Sequence, residues 1–272
     1  MIHIITIEIQ TISFVSHKLL VLMDFILFQL RVLYKIYCAI YFAMSLILFY
    51  PVFKFFLHKK ERFSGAFKVM RVYCKLWLFF YGVCLKIDGR ENIIKNQPFI
   101  ICANHSSFLD IPCLYSVMNE HFVFTGKQEI EKWPLFHIFY TSGMNVLVDR
   151  KNKQGILKGF KQMMRVVDEG FPLVIFPEGT ISKVAPELSE FKSGAVALAL
   201  KKQIPIIPIT FTTNWKRLQR SGFLRGEAGP GISNVIIHPP ISTIGKTKEE
   251  TAALSMELKK IINAPLHDKY GV

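Results

Sequence analysis

What this chain lacks narrows it first. Its five cysteines (Cys38, Cys74, Cys84, Cys102 and Cys113) include no CxxC pair and no histidine at zinc spacing. Neither a disulfide framework nor a metal site is therefore expected, and the thiols read as reduced, buried groups facing a cytosolic compartment. Acidic residues are scarce: 20 Asp and Glu stand against 34 Lys and Arg, for a net charge of +14 and a pI near 9.6. That excess predicts attraction to polyanions, whether an anionic lipid surface, a phosphorylated substrate or nucleic acid. Nucleic acid is the weakest of the three, because the basic residues are interleaved with strand and helix patterns and match no recognition motif. No internal repeat, low-complexity tract or flexible linker divides the 272 residues. A secretory leader is not expected, since MIHIITIEIQ has no basic start and no small-residue cleavage site follows it. The opening ~20 residues carry no assigned role, and Met23 is a second candidate start.

What the chain has in abundance is apolar surface, 51% hydrophobic residues and a mean hydropathy of +0.30, concentrated at the front. From Tyr37 to Phe53 the stretch YCAIYFAMSLILFYPVF holds no charge, and after Lys54 the run FFL completes it. That is close to the ~20 apolar residues a helix needs to cross a bilayer. LLVLMDFILFQL, interrupted by Asp24, and CKLWLFFYGVCL at Cys74 to Leu85, interrupted by Lys75, are too short or too broken to span. Cations flank the main segment on both sides, Arg31 and Lys35 before it and Lys59, Lys60 and Arg62 after it, so charge bias sets no orientation. The symmetry suits a helical hairpin dipping into one leaflet, with Trp77, Phe79, Phe80 and Tyr81 at the headgroup level. The alternative is a helical pair packed on the protein's own core. The expected organisation is an N-terminal extension of unclear role (1–30), a membrane-associated helical hairpin (31–88) and one large domain (89–272).

Beyond about Lys86, short apolar runs alternate with charged amphipathic stretches. PFIICA, HFVFTG, MNVLVD, PLVIFP, IPIIPITFT and NVIIHP read as strands, several apolar throughout and so buried on both faces. Residues 152–170, 191–203 and about 248–262 read as helices. The alternation predicts an α/β fold with a mixed, largely parallel central sheet flanked by helices. In such sheets chemistry collects at the carboxyl ends of the strands.

HSSFLD, His105 to Asp110, follows one such strand end. Pro112 is comfortable only in a helix's first turn, so the helix should begin near Asp110, leaving His105 and Asp110 on either side of one tight turn. A carboxylate accepting from one imidazole nitrogen leaves the other to act as a general base. On these residues alone, Asp110 as a helix cap beside an ordinary loop histidine fits equally well. FPEGT, Phe176 to Thr180, ends a second strand, where glycine permits close backbone approach to a ligand and exposed amides bind anions. GMNVLVDR ends a third with Arg150, whose fork can hold a phosphate bidentately. IPIIP, Ile204 to Pro208, places two prolines around an apolar strand that shapes a wall.

In this order and spacing, NHSSFLD, GMNVLVDR, FPEGT and IPIIP resemble the glycerolipid acyltransferases, specifically the lysophosphatidic acid (1-acyl-sn-glycerol-3-phosphate) acyltransferase family, over about Pro98 to Pro240. The resemblance implies that 89–272 is a catalytic domain. It would move a fatty acyl group from acyl-CoA or acyl-carrier protein to the free hydroxyl of 1-acyl-glycerol-3-phosphate, giving phosphatidic acid for phospholipid synthesis. His105 and Asp110 would be the catalytic pair, and Arg150, Glu178, Gly179 and Thr180 would bind the acceptor. Membrane lipids, the lysophospholipid and the thioester are the implied partners, with no metal or redox cofactor and no nucleic acid. The expected location is the cytoplasmic face of the cell membrane. One departure matters: many members follow FPEGT with Arg-Ser, whereas here Ile181 precedes Ser182. Lys127, in TGKQEI, and Lys192, in FKSG, are the candidates to supply the missing charge. A glycerol hydroxyl activated by His105 attacks a thioester directly, so no acyl-enzyme on Ser106 or Ser107 is required. The competing readings are transfer to another lyso-lipid or amino-lipid acceptor, a thioesterase using water, and a non-catalytic membrane-attached lipid-binding protein.

Overall fold

The computed structural model describes residues 17–221 and 224–272 in full and residues 2–16 as helical backbone. The reading of MIHIITIEIQ as no secretory leader rests on side chains outside the described residues. The chain opens with α1 (Ile2–Leu57), a single helix that runs without a turn from the expected extension into the expected hairpin. Two short steps later α2 (Phe63–Phe80) returns alongside it, and the pairs Tyr41–Phe80, Phe42–Trp77 and Phe49–Tyr73 set the two antiparallel.

The helical pair has two apolar faces, one packed on the protein's own core and one exposed. Cys38, Leu46, Phe53 and Leu57 of α1 and Phe67, Met70, Tyr73, Cys74 and Leu78 of α2 are buried in the protein's core. Ile40, Met44, Ile47, Leu48, Val52 and Phe55 on α1, with Val72, Leu76, Phe79 and Phe80 on α2, are exposed. Between His17 and Leu57, 41 residues, α1 is the one helix among the described residues long and apolar enough to cross a bilayer. The aromatic assignment needs correction: Trp77 and Tyr81 are packed inward, the Tyr81 hydroxyl donating to the Cys38 carbonyl, and only Phe79 and Phe80 face out.

CKLWLFFYGVCL is likewise not one element. The helix ends at Phe80, Gly82 turns the chain with φ +64°, and Val83 begins β1 (Val83–Asp88). Its alternating burial reflects an edge strand with one covered face. The strand lies inside the span expected for the hairpin yet pairs in parallel with β7. Then follow β2 (Ile100–Ala103), α3 (Asp110–Val117), β3 (Val123–Lys127), α4 (Ile138–Thr141), β4 (Val146–Val148), α5 (Lys153–Asp168), β5 (Leu173–Ile175), α6 (Gly194–Lys202), β6 (Ile206–Phe211), α7 (Asn214–Arg217), β7 (Gly231–Ile237) and α8 (Thr251–Tyr270).

The seven strands form one sheet in the order β1-β7-β6-β2-β5-β3-β4, parallel throughout except for the antiparallel pair β6–β7. The mixed, largely parallel α/β fold read from the strand alternation is thus the observed one. β2 and β6 are buried at every position because helices cover both faces. One layer, α1 to α3, packs an aromatic core on Ile101, Val174 and Ile207; the other, α5, α6 and α8, covers Ile100, Leu173 and Ile206. On α8 the buried Leu254, Leu258, Ile262 and Leu266 recur every four residues, the stripe that a packed helix requires. IPIIP does not bracket a strand as expected: β6 begins at Ile206 and Pro208 sits within it. The carboxyl ends of β2, β3, β4, β5 and β6 consequently meet along one edge.

Candidate active site

The end of β2 is held firmly. Asn104 donates to the Phe211 carbonyl at 3.1 Å and accepts from its amide at 2.7 Å, tying β2 to β6 just before His105. The chain then folds back so that Asp110, the first residue of α3, lies under the histidine. His105 Nδ1 stands 2.9 Å from Asp110 Oδ2, which also accepts the amides of Ser106 at 2.7 Å and Ser107 at 2.9 Å. Asp110 is therefore not the cap of α3, whose N-cap is Leu109 without a side-chain bond; its carboxylate instead closes the turn that carries His105. Its side chain is 0% exposed against 12% for His105. Because Oδ2 can only accept, Nδ1 carries the hydrogen and Nε2 keeps a lone pair.

Two further groups complete this arrangement, and sequence reasoning missed both. Asn214, the first residue of α7, donates from Nδ2 to Asp110 Oδ1 at 2.7 Å, and its own carbonyl accepts from the Ser233 hydroxyl. Asp110 thus accepts four hydrogen bonds in a fully buried site. Phe176 stacks on the imidazole with ring centroids 3.9 Å apart and planes 13° from parallel, which fixes the ring's tilt. Neither was visible beforehand, since Asn214 comes from a strand end more than 100 residues away and Phe176 reads as strand filler.

Ser107 is not free to act as a nucleophile: its hydroxyl donates to the Leu218 carbonyl at 2.6 Å and accepts from the Leu109 amide at 3.1 Å. Ser106 Oγ is buried and has no partner, His105 included.

FPEGT lies beside this turn, as the sequence order suggested, but its residues divide the work differently. Glu178, 5% exposed, accepts the His105 amide on Oε1 at 2.7 Å and the Ser189 amide on Oε2 at 2.9 Å. Burial pushes its carboxyl above the usual range, while those amides pull it back. Each oxygen thus holds a backbone amide, and Glu178 fastens two loops together. Gly179 does face outward with φ +75°, and a Cβ there would lie 2.6 Å from Arg150 Nη1 and 3.1 Å from Lys192 Nζ. Only glycine admits both that conformation and that approach. Arg150 Nη1 donates to the Gly179 carbonyl. Lys127, at the end of β3, joins them: burial and then Arg150, Arg220 and Lys192 push its ammonium below the ordinary lysine value. Arg150, Lys127 and Lys192 therefore converge as the sequence expected, with a fourth cation, Arg220, that it did not foresee. Arg220 Nη1 donates to Thr180 Oγ1 at 2.8 Å. Ile181, where an arginine was the usual residue, points inward and is 8% exposed.

A family model described as "Acyltransferase" matches residues 84–212, the stretch from β1 to just past β6. The chain is 30% identical over 225 residues to a probable 1-acyl-sn-glycerol-3-phosphate acyltransferase of Mycoplasma pneumoniae, covering 74% of this chain and 83% of that one. It belongs to the 1-acyl-sn-glycerol-3-phosphate acyltransferase family. A Helicobacter pylori acyltransferase of the same name is 32% identical over 183 residues, 66% of this chain and 73% of that one. A Limnanthes douglasii relative, also so named, is 31% identical over 169 residues, of whose length the chain spans 58%. The crystal structure of the 1-acyl-sn-glycerophosphate (LPA) acyltransferase from Thermotoga maritima shares the fold, with a TM-score of 0.70 over 88% of this chain and 95% of that one at 21% identity.

Proposed function

We propose that the protein transfers a fatty acyl group from an acyl thioester, carried by coenzyme A or acyl-carrier protein, to the free hydroxyl of 1-acyl-glycerol-3-phosphate, forming phosphatidic acid. The observation that supports this reading is the juxtaposition of a base and an anion site. His105, with Nε2 unoccupied, sits one hydrogen bond from Glu178, and the next residue carries the cations Arg150 and Lys192.

The step balances with these groups alone. The acceptor hydroxyl gives its proton to His105 Nε2 as its oxygen bonds to the thioester carbonyl carbon. The tetrahedral intermediate then expels the thiolate, which takes the proton from Nε2 and leaves as the thiol. Asp110 stabilises the imidazolium formed between these events and keeps the ring in the tautomer that can accept. A base so placed typically contributes about 10²- to 10⁴-fold to rate. Arg150 and Lys192 hold the acceptor's phosphate, which brings its hydroxyl to the histidine and turns an encounter into a positioned reaction. The outer apolar faces of α1 and α2 seat the protein on the cytoplasmic side of the cell membrane, where lipid acceptors are supplied.

The deciding experiment incubates the purified full chain with acyl-CoA or acyl-carrier protein and a panel of lysophospholipids and amino-lipids, following thiol release and lipid product together. Thiol release that depends on lysophosphatidic acid, with phosphatidic acid formed in equal amount, is the expected result. Release without an acceptor would identify a thioesterase, preference for another acceptor would move the headgroup assignment, and no release would leave a lipid-binding protein.

A further inference from the structure

Arg220 lies outside every motif that marked the site, on the loop between α7 and β7, yet its guanidinium reaches Thr180 in the FPEGT turn. Four cations, Lys127, Arg150, Lys192 and Arg220, thereby gather around Gly179 and Thr180. Among the described residues none of the four forms an ion pair. Glu129, the acid that acts on Lys127 and Arg150, is itself paired with Lys151 at 3.2 Å. Lys127 and Arg150 are half-buried and Lys192 and Arg220 exposed; like charges so gathered repel, and an anion sharing the cluster relieves that repulsion. A phosphomonoester carries about −1.5 to −2 charges and three acceptor oxygens, enough to engage more than the Arg150 fork alone.

The loop that delivers Arg220 is built for position. At one end Ser107, in the His105 turn, donates to the Leu218 carbonyl at 2.6 Å. Within it, Gln219 and Glu227 exchange hydrogen bonds. At the other end Arg31 of α1 pairs with Glu227 at 3.0 Å, and the buried Lys35 donates to the carbonyls of Arg225 and Gly226. Its described residues thus rest on the site at one end and on the long apolar helix at the other.

Resting on the acyltransferase reading above, we propose that Arg220 is a phosphate-binding residue of the acceptor site, placed there by a loop clamped to α1, and that it supplies the charge that the apolar Ile181 does not. Thr180 parks the guanidinium when no acceptor is bound; a phosphomonoester entering beside Gly179 takes its place.

The test compares the full chain with Arg220→Gln, which retains a donor for Thr180 but loses the charge, with Arg220→Lys, and with Arg165→Gln on the exposed face of α5 as a charge control. Losing one charge-assisted pair should raise the apparent KM for lysophosphatidic acid about 10-fold in R220Q, with R220K between it and the parent. The kcat, the thioester KM and the melting temperature should stay near the parent values, and R165Q should match the parent. Competition by glycerol 3-phosphate should weaken in parallel. Replacing Lys35 by Met should reproduce part of the KM effect, because the clamp is loosened and not the contact itself. An unchanged KM in R220Q would overturn the proposal, as would a loss confined to kcat and melting temperature, which would mean that Arg220 only ties two loops. If the parent transfers to no acceptor, the acyltransferase reading fails separately, and direct titration of glycerol 3-phosphate into the parent and R220Q still decides whether Arg220 binds phosphate.

Discussion

Replacing Asp110 by Asn probes the site where its geometry is most closely determined. The carboxylate accepts from His105 Nδ1, Ser106 N and Ser107 N on Oδ2, and from Asn214 Nδ2 on Oδ1, all within 2.9 Å and out of solvent. An amide in its place keeps the three donors best by aiming its oxygen at them, which turns its NH₂ toward the NH₂ of Asn214. Two donors then face each other in a dry interior, and one charge-assisted bond worth ~1.5–3 kcal/mol is lost. The three remaining bonds weaken as well, since the acceptor is no longer charged. For the reaction, the imidazolium that forms on His105 loses the negative charge beneath it, and kcat should fall by about 10²- to 10⁴-fold. Thiol release at saturating substrates gives the rate, and thermal melting gives the stability. The two effects separate in the double variant D110N/N214D, where an acceptor again faces the new amide. Stability should return while activity stays low, because the charge now lies one residue farther from the imidazole. Recovery of both together would refute the catalytic role and leave Asp110 as a purely structural anchor; a D110N enzyme within about 3-fold of the parent would refute the reasoning outright.

Four other outcomes are expected. Arg150→Lys keeps a charge but loses the fork that reaches the Gly179 carbonyl, so acceptor KM should rise by roughly 10-fold with donor KM unchanged. Ile181→Arg should lower the melting temperature without tightening the acceptor, because it buries an unpaired guanidinium where an apolar side chain is 8% exposed. Burial holds His121, packed between Phe67 and Phe171, down to about 4 from its ordinary 6.5. The unfolded chain then binds the extra proton between those values, so stability should fall as pH drops from 6.5 toward 4, by ~1.4 kcal/mol per unit of difference, and His121→Phe should flatten that slope in acid denaturation. Membranes washed with high salt and then alkaline buffer should retain the protein through the outer faces of α1 and α2, since salt screens the +14 charge but not apolar burial; release by salt alone would mean that charge holds it there.

The order of apolar runs and amphipathic stretches was enough to read an α/β sheet, because strands buried on both faces must be apolar throughout and the helices covering them must carry a stripe. The six strands from PFIICA to NVIIHP and the helices around 152–170, 191–203 and 248–262 were legible for that reason. The His105–Asp110 turn was legible too, since proline confines a helix start and five residues close a turn within side-chain reach. β1 was hidden because VCL continues the apolar run of α2 and only Gly82 marks the break. Pairing across the sheet could not be read locally, and with it went the partners that arrive from distant segments: Asn214 under Asp110, Phe176 on the imidazole, Arg220 at Thr180. The family resemblance also offered Glu178 as a substrate-binding residue; the tertiary structure closes two backbone amides onto its carboxylate and leaves the turn's glycine to face the recess. Sequence determines which residues can do chemistry and which elements hold them; which atoms remain unoccupied after folding depends on the contacts between elements, and that is where the geometry behind the proposed base and anion site was decided.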